Sequence, residues 1–484
     1  MLRLIALLLS ASTLAAQDDL EVQLRSILGA YTLASENAAD PVTPEQAFYG
    51  GAIPGLLRKL DPHSVFFDHD QFEQLRRMET STQKGFGSVV SVLPGRIIVL
   101  QTTPGTPSAR SGLAPGDEIL AINGYIIAQL DTEQLPQLLE QSRQRPARLD
   151  VRRGGSGVIL HFTLTPEEMQ TPSVERAFFV SAGIGYIRVA SFEEKTTEQL
   201  RAAIEKLGGD RLSGLVLDLR GNPGGLVTAA VSMASLFLQP GTKIVTVRGR
   251  HVEEKSEVVP ATATPYGFKL AILVNEKTAS ASEIVSGALQ DHDRAIILGV
   301  PSFGKGLVQS VFPLTEGAGL ALTTALYYTP SGRSIQKPLD PTRFELAATT
   351  AHPNQQSEFR TDKGRKVTGG GGIQPDVIVY PEPMNRLRAV LDASASFTNF
   401  ATEYLRDHKV TSDFEATPEV LDQFRAFLSA RQIRPGVAEW LPERDFVSNR
   451  LKTEIFNQAF GVEKGDEVEA QRDPVILKAI ESIG

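Results

Sequence analysis

Apolar positions divide this chain into segments of different period. Between residues 17 and 80, Leu20, Leu24, Ile27, Leu28 and Tyr31 recur every three or four positions, which predicts a helix. Thr43-Pro44-Glu45 reads as a helix start, a capping hydroxyl followed by proline at the first helical position. Leu56, Leu57 and Leu60 extend an apolar face, and Phe72 and Leu75 begin another, so a small helical packing region is expected. From 81 to 167 the period falls to two. Short runs at 88–92, 97–100 and 119–122 alternate with turn signals at Pro94-Gly95, Pro115-Gly116 and Asn123-Gly124. A helical patch at Leu135, Leu138 and Leu139 precedes strands at 148–151 and 158–163, completing a compact β-rich module.

Residues 168–337 alternate between the two periods. Strands are expected at 185–189, 214–219, 243–247, 270–274, 295–298 and 320–328, and helices at 197–207, 226–237 and 282–290. That alternation predicts an α/β sheet with helices packed on it. Residues 338–368 are polar and aperiodic, lead into four glycines at 369–372, and read as a surface insertion. From 383 to 484 helical spacing returns, in Leu387, Val390, Leu391, Phe400, Ala401 and Tyr404, and after a second helix start at Thr417-Pro418-Glu419.

Composition narrows the setting. Arg3, an apolar run at 4–9 and small residues at 11–16 read as an export leader over 1–16, cleaved after Ala15 or Ala16. That run is too short to span a bilayer and no later one approaches ~20 apolar residues, so no stable membrane span is expected after leader removal. A net charge of −8 argues against nucleic acid as a partner. With no cysteine, disulfides and a thiol nucleophile are excluded.

The chemistry lies in three stretches. Thr278-Ala279-Ser280-Ala281-Ser282-Glu283 joins a predicted strand to a predicted helix, which places Ser280 at a helix mouth where unpaired N–H groups can hold an oxyanion. A serine there more often only caps the helix. Lys305, in Phe303-Gly304-Lys305-Gly306, sits between glycines after the next strand. Most lysines are solvated surface charges, but a buried amine loses its proton more readily and can then take the proton of a serine. Gln309, four residues on, could orient that amine. Finally, Asp218-Leu219-Arg220-Gly221-Asn222-Pro223-Gly224-Gly225 follows a strand with glycines that let N–H groups converge on a ligand oxygen, although a plain turn would look the same.

Competing chemistries fit less well. Residues 299–306 match most of a phosphate-binding loop, but Gly306 stands where that motif needs a magnesium-holding hydroxyl, and 307–312 alternate like a strand. There is no Gly-x-Ser-x-Gly elbow. The seven histidines lack paired metal spacing, and His292 reads as a surface residue.

With these motifs in view, the chain resembles the carboxyl-terminal processing (tail-specific) serine proteases across about 45–380. The resemblance is carried by Leu60-Asp61-Pro62-His63-Ser64, Ala114-Pro115-Gly116-Asp117 and the Asp218–Gly225 and Ser280–Ile284 stretches. Gln290-Asp291, Phe303-Gly304-Lys305-Gly306, Tyr328-Thr329-Pro330-Ser331-Gly332-Arg333 and Gly372-Ile373-Gln374-Pro375-Asp376 complete it. The resemblance implies an α/β core with a ClpP/crotonase-like sheet and packed helices, an inserted PDZ domain at 81–167, and helical terminal segments. It implies Ser280 as nucleophile, Lys305 as base and Gln309 as its orienting group. The backbone N–H groups of Ala281, Gly224 and Gly225 become oxyanion donors, and Asp291 and Ser302 become supporting residues. It also makes Gly85, Phe86 and Gly87 the turn that holds a substrate's terminal carboxylate in the PDZ domain.

The expected protein is therefore an exported, periplasmic endopeptidase that selects proteins or peptides by apolar C-terminal tails and needs no metal or organic cofactor. Its helical ends would suit a homodimer or an adaptor. The alternative reading is a catalytically silent tail-binding protein of the same fold.

Overall fold

The computed structural model describes residues 2–484 except 41, 80–81, 94, 131–133, 154–157, 171, 341, 343 and 345–357. Pro94 of the expected Pro94-Gly95 turn and most of the middle of the 338–368 insertion thus lie outside the described residues, as do the side chains of the expected leader. The chain forms two compact units.

The first unit holds residues 1–74, 308–325 and 338–352. Its backbone begins with the helix Leu2–Asn37. Thr43 caps the next helix as its sequence predicts, accepting from the Gln46 N–H while the Gln46 side chain accepts from the Thr43 N–H. A short strand, Val65–Phe67, interrupts the expected helical run and pairs antiparallel with residues 319–321. The buried Asp61 shapes the turn before it. Its Oδ1 accepts from the amides of His63 and Ser64, its Oδ2 accepts from the Ser64 hydroxyl, and Ser64 Oγ accepts in turn from the Thr323 N–H.

The second unit holds 75–307, 326–337 and 353–484. Its central sheet has six strands in the order Val174–Ser181, Ile184–Val189, Gly214–Asp218, Lys269–Val274, Ile296–Gly299 and Val377–Ile378. The first pair is antiparallel and the rest are parallel. Gly214–Asp218 is buried throughout, as a parallel strand covered on both faces must be. The stretch expected as a strand at 243–247 does not join this sheet. It forms Lys243–Arg248, which pairs antiparallel with Lys255–Val258 and with residues 326–328. Its half-apolar pattern suits that position better than the continuous apolar run of a central parallel strand.

Every residue of the helix Ala281–Asp291 is buried. Small side chains allow this. A Cβ on Gly287 would come within 2.9 Å of Thr329 Cγ2 and 3.0 Å of Ile373 Cδ1, so this helix packs too closely to carry anything larger there.

The β-rich module is a five-strand antiparallel sheet, Ser88–Leu93, Arg96–Thr102, Glu118–Ile122, Ala147–Arg152 and Ile159–Leu164, with Tyr125–Ile126 paired to its middle strand. Asn123 (φ 52°) and Gly124 (φ 85°) both take positive φ, as a tight hairpin turn requires. Ile97, Val99, Ile119, Leu135, Leu138, Leu149 and Val151 fill its core. The ribbon Thr82–Gly85 with Glu167–Gln170 joins the module to the chain on either side.

The C-terminal segment plays two parts. Its helices from Arg386 to Phe460 enclose an aromatic core of Phe397, Phe400, Phe424, Phe427 and Trp440. The last helix, Pro474–Ile483, lays Val475, Ile476, Ala479 and Ile483 against Val216, Ala271, Leu273 and Leu298 of the central sheet. This helix is thus structural covering for the sheet. Arg96 of the β-rich module donates to Asn399, and the Val462 N–H donates to Gln101 Oε1 at 3.1 Å, so this segment also supports the module.

Ile476→Ala is expected to lower unfolding free energy by about 2–5 kcal/mol, from lost burial plus a cavity. The neighbouring Leu477→Ala, at a position 47% exposed, should change it by no more than about 0.5 kcal/mol. Denaturant titration of the two variants measures both.

Candidate active site

Two loops leave the carboxyl ends of adjacent parallel strands, Gly214–Asp218 and Lys269–Val274, and hydrogen bonds join them. Thr278 Oγ1 donates to the Leu219 carbonyl (2.8 Å), the Ala279 N–H to the Asn222 carbonyl (3.0 Å) and Ser282 Oγ to that same carbonyl (3.2 Å). Asn275 Oδ1 accepts from the Gly221 N–H at 2.9 Å. The side chain of Asn222, fully buried, donates to the Val189 carbonyl and accepts from the Gly224 N–H, each at 2.9 Å. The first loop is therefore held by the neighbouring strand and the second by the first.

This zipper presses Gly224 against Ser280. A Cβ on Gly224 (φ 100°) would lie 2.8 Å from Ser280 Cβ and 2.9 Å from the Ala281 nitrogen. Only glycine leaves that space open. Ala281 opens the helix Ala281–Asp291, so its N–H has no intrahelical acceptor. The Gly224 N–H is taken by Asn222, and Gly225 is the exposed member of the pair. The turn's contribution thus divides: Gly224 supplies room, and Gly225 is the one open to solvent.

Ser280 is half-buried with φ 57° and ψ −117°. An ordinary N-cap is extended, so Ser280 departs from the conformation of a serine that only caps. Positive φ is strained for any residue with a Cβ, and such strain concentrates at functional turns. Two buried groups hold it. The Glu283 carboxylate accepts from the Ser280 N–H (2.8 Å) and, through the same Oε2, from the Lys305 N–H (2.9 Å). Its Oε1 accepts from Ser302 Oγ (2.5 Å) and the Gly304 N–H (2.8 Å). Burial pushes the Glu283 carboxyl above its usual range, against the pull of these four donors. On the other side, the Tyr327 hydroxyl lies within hydrogen-bonding reach of the carbonyls of both Ser280 (3.0 Å) and Lys305.

Ser280 and Lys305, 25 positions apart in sequence (305 − 280), are thus tied at both their amides and their carbonyls. Lys305 is itself half-buried. The Ser302 hydroxyl, besides donating to Glu283, accepts from the Ile373 N–H at 2.6 Å and so anchors the lysine loop to the Gly372-Ile373 stretch. Asp291, at the far end of the Ser280 helix, pairs with the fully buried Arg333 (2.7 Å) and accepts from the Ser331 N–H (3.0 Å). Its contacts fix the Thr329–Arg333 turn. Gln309 lies in the first unit, on the strand Leu307–Pro313, where its side-chain amide donates to the His63 carbonyl. His292 is not the surface residue expected: it caps the end of the helix with one ring nitrogen on Asp362 and the other on the Lys243 carbonyl, each at 2.7 Å.

The sequence also matches known protein families. A protein-family model for peptidase family S41 matches residues 183–343, and one for the PDZ domain matches 98–153. A carboxy-terminal-processing protease of Bartonella bacilliformis is 39% identical over 61% of this chain and 68% of its own length. A carboxyl-terminal-processing protease of a Synechocystis species is 34% identical over 59% of this chain and 68% of its own. The chain belongs to the carboxyl-terminal processing proteases of family S41. A solved photosystem II D1 C-terminal processing protease aligns with 25% identity and a TM-score of 0.39, over 74% of this chain and 92% of that one. This protein is accordingly a serine peptidase that carries a PDZ domain and acts on protein substrates.

In the PDZ domain of this protease, Gly85 ends the ribbon strand, and the carbonyls of Phe86 and Gly87 accept from the amides of Ser108 and Thr103, both at 2.8 Å. Phe86 packs against the module core. Gly87 (φ 75°) has no room for a side chain, since a Cβ would lie 2.2 Å from Thr106 Cβ. The following strand, Ser88–Leu93, is an edge strand, the geometry from which a peptide can be added to a sheet.

Sequence reasoning named Ser280 and Lys305 but gave no part to Glu283, Asn222 or Tyr327. For Glu283 a signal existed, because a glutamate three residues after a serine at a helix start is the capping-box pattern. For Tyr327 none did.

Gly224→Ala is expected to lower kcat/KM by at least ~100-fold, since the added methyl meets Ser280 and the Ala281 N–H. The far-ultraviolet circular dichroism spectrum should be unchanged. Peptide cleavage by the purified variant, with that spectrum as control, measures the effect.

Proposed function

We propose that this S41 protease cleaves peptide bonds with a Ser280–Lys305 dyad. The shared carboxylate of Glu283, which holds the amides of both residues through one oxygen, is the observation that carries this reading. Ser280 Oγ attacks the scissile carbonyl as the Lys305 amine accepts its proton. The amine then protonates the leaving nitrogen, and water, activated by the same amine, releases the acyl-enzyme. The N–H groups of Ala281 and Gly225 stabilise the oxyanion, each donor contributing about 3 kcal/mol, while Gly224, whose own N–H is held by Asn222, leaves room for it. Asp291 and Ser302 support the site through the turns they anchor. Gln309 is assigned to orient the amine on its sequence spacing and on the family resemblance.

In the same reading the chain is exported, with a leader at 1–16, a helical region at 17–80, the PDZ domain at 81–167, the protease core at 168–382 and a helical region at 383–484. The leader-like composition supports export, and no helix among the described residues is long and apolar enough to cross a membrane. The parallel strands, with the helix Pro474–Ile483 packed on them and the buried helix Ala281–Asp291 between two of them in sequence, suit a ClpP/crotonase-like core. The PDZ domain adds an apolar substrate tail beside Ser88–Leu93, with its carboxylate at Gly85-Phe86-Gly87. Leu20, Leu24, Ile27 and Leu28, all exposed, make the first helix the attachment point for a second copy or an adaptor.

Ser280→Ala should lower cleavage by at least ~1,000-fold, while Ser282→Ala should leave most of it. An equal loss in both variants, or none in Ser280→Ala, overturns the assignment of the nucleophile. One unfolded substrate ending in either an apolar or a doubly acidic tail tests selection separately. Faster cleavage of the apolar form is expected, and equal rates would remove tail recognition while leaving the chemistry intact.

A further inference from the structure

The Tyr327 side chain is fully enclosed, at 2% exposure, in a position no part of the dyad mechanism uses. Its backbone is already fixed. Its strand pairs with Val247, and its N–H donates to the Gly306 carbonyl at 3.0 Å. The hydroxyl is therefore not needed to hold the strand, yet it reaches two backbone carbonyls at once, those of Ser280 and Lys305. Burial, helped by the nearby Glu283, pushes the phenol well above its usual range, so it stays protonated and remains a donor.

Both acceptors matter for position. The Ser280 carbonyl belongs to a residue at φ 57°, a conformation that persists only when surrounding bonds over-determine it. The Lys305 carbonyl belongs to a loop flanked by glycines, which has little stiffness of its own. A single donor between them sets the spacing of the two backbones from the side opposite Glu283. The Ser280 carbonyl also accepts from the amides of Glu283 (2.8 Å) and Ile284 (3.1 Å), so removing the hydroxyl would leave that carbonyl to its own helix, take this donor from the Lys305 carbonyl, and break the one tie between the two on this side.

Building on the dyad reading, the geometry points to Tyr327 as a positioning residue, whose hydroxyl fixes the nucleophile's strained backbone relative to the base. It touches neither the scissile bond nor the substrate tail. Its loss therefore lowers the rate of acylation and leaves tail binding alone.

The test compares Tyr327→Phe with Tyr266→Phe. Tyr266 is also buried and donates to Glu205 at 2.6 Å, but it bonds to neither Ser280 nor Lys305. Both changes keep the ring and its packing. For Tyr327→Phe, kcat on a tailed peptide and the rate of Ser280 labelling by a fluorophosphonate should both fall about 10- to 100-fold, with KM within about twofold. Tyr266→Phe should lose melting temperature without that fall in rate. The proposal is overturned if Tyr327→Phe keeps wild-type kcat, if its loss appears in KM, or if Tyr266→Phe loses as much rate. Lys305→Ala separates the two levels. If it labels at wild-type speed the dyad itself fails and this role with it. If it is inert while Tyr327→Phe is fully active, the positioning role alone fails.

Discussion

A buried carboxylate that accepts four hydrogen bonds holds this active site together. Taking the Glu283 side chain out of water is costly, and the cost is met only when its lone pairs are filled. The amides of Ser280, Gly304 and Lys305 and the hydroxyl of Ser302 fill them. None of these donors is a cation. The carboxylate is thus satisfied by three backbone amides and one hydroxyl, and that geometry exists only when the serine elbow and the lysine loop stand in one arrangement. The energetic need of one buried group becomes a positional constraint on two others.

The same economy recurs further out. Asn222 fixes the Asp218–Gly225 turn with a donor to one strand and an acceptor for Gly224, and its carbonyl then receives the next loop. Arg220 of that turn is bound by Asp218 and also by Asp473 at 2.7 Å, just before the last helix. The C-terminal helix therefore does more than cover the sheet: through Asp473 it steadies the turn that abuts Ser280. Arg333 and Asp291 repeat the pattern at the other end of the Ser280 helix as a fully enclosed ion pair, with the guanidinium also bound to Gln290 and to the Thr368 carbonyl. Losing one partner of such a pair would leave the other charged and unpaired, which makes these positions sensitive even though they touch no substrate.

What could be read from the chain followed from how local each signal is. The Asn123-Gly124 hairpin, the Thr43 cap, the helix at Ala281–Asp291 and the parallel strands around it were all legible, because each depends on neighbours a few residues away. Ser280 and Lys305 stood out because glycines and small residues surround them. Four things were not legible. The strand Lys243–Arg248 looked like a member of the central sheet, since a strand's own sequence does not name its partner. Whether the tail would bind a partner or pack inward depended on the sheet face left open for Pro474–Ile483. Tyr327 looked like any strand aromatic, and its meaning comes from two carbonyls brought to it from 47 and 22 positions away. Assigning the turn's N–H groups needed coordinates as well, because Asn222 claims one of them.

The central claim is that Ser280 and Lys305 meet in one preorganised site. It is tested most directly by a crystal structure of the protein treated with a peptidyl phosphonate, which captures the attacking oxygen as a tetrahedral adduct. The account predicts a phosphorus bond to Ser280 Oγ, the phosphonyl oxygen facing the Ala281 N–H, and Lys305 Nζ within about 3.2 Å of Oγ. An adduct on another residue, or a lysine amine turned out to solvent with Ser280 modified, would contradict it.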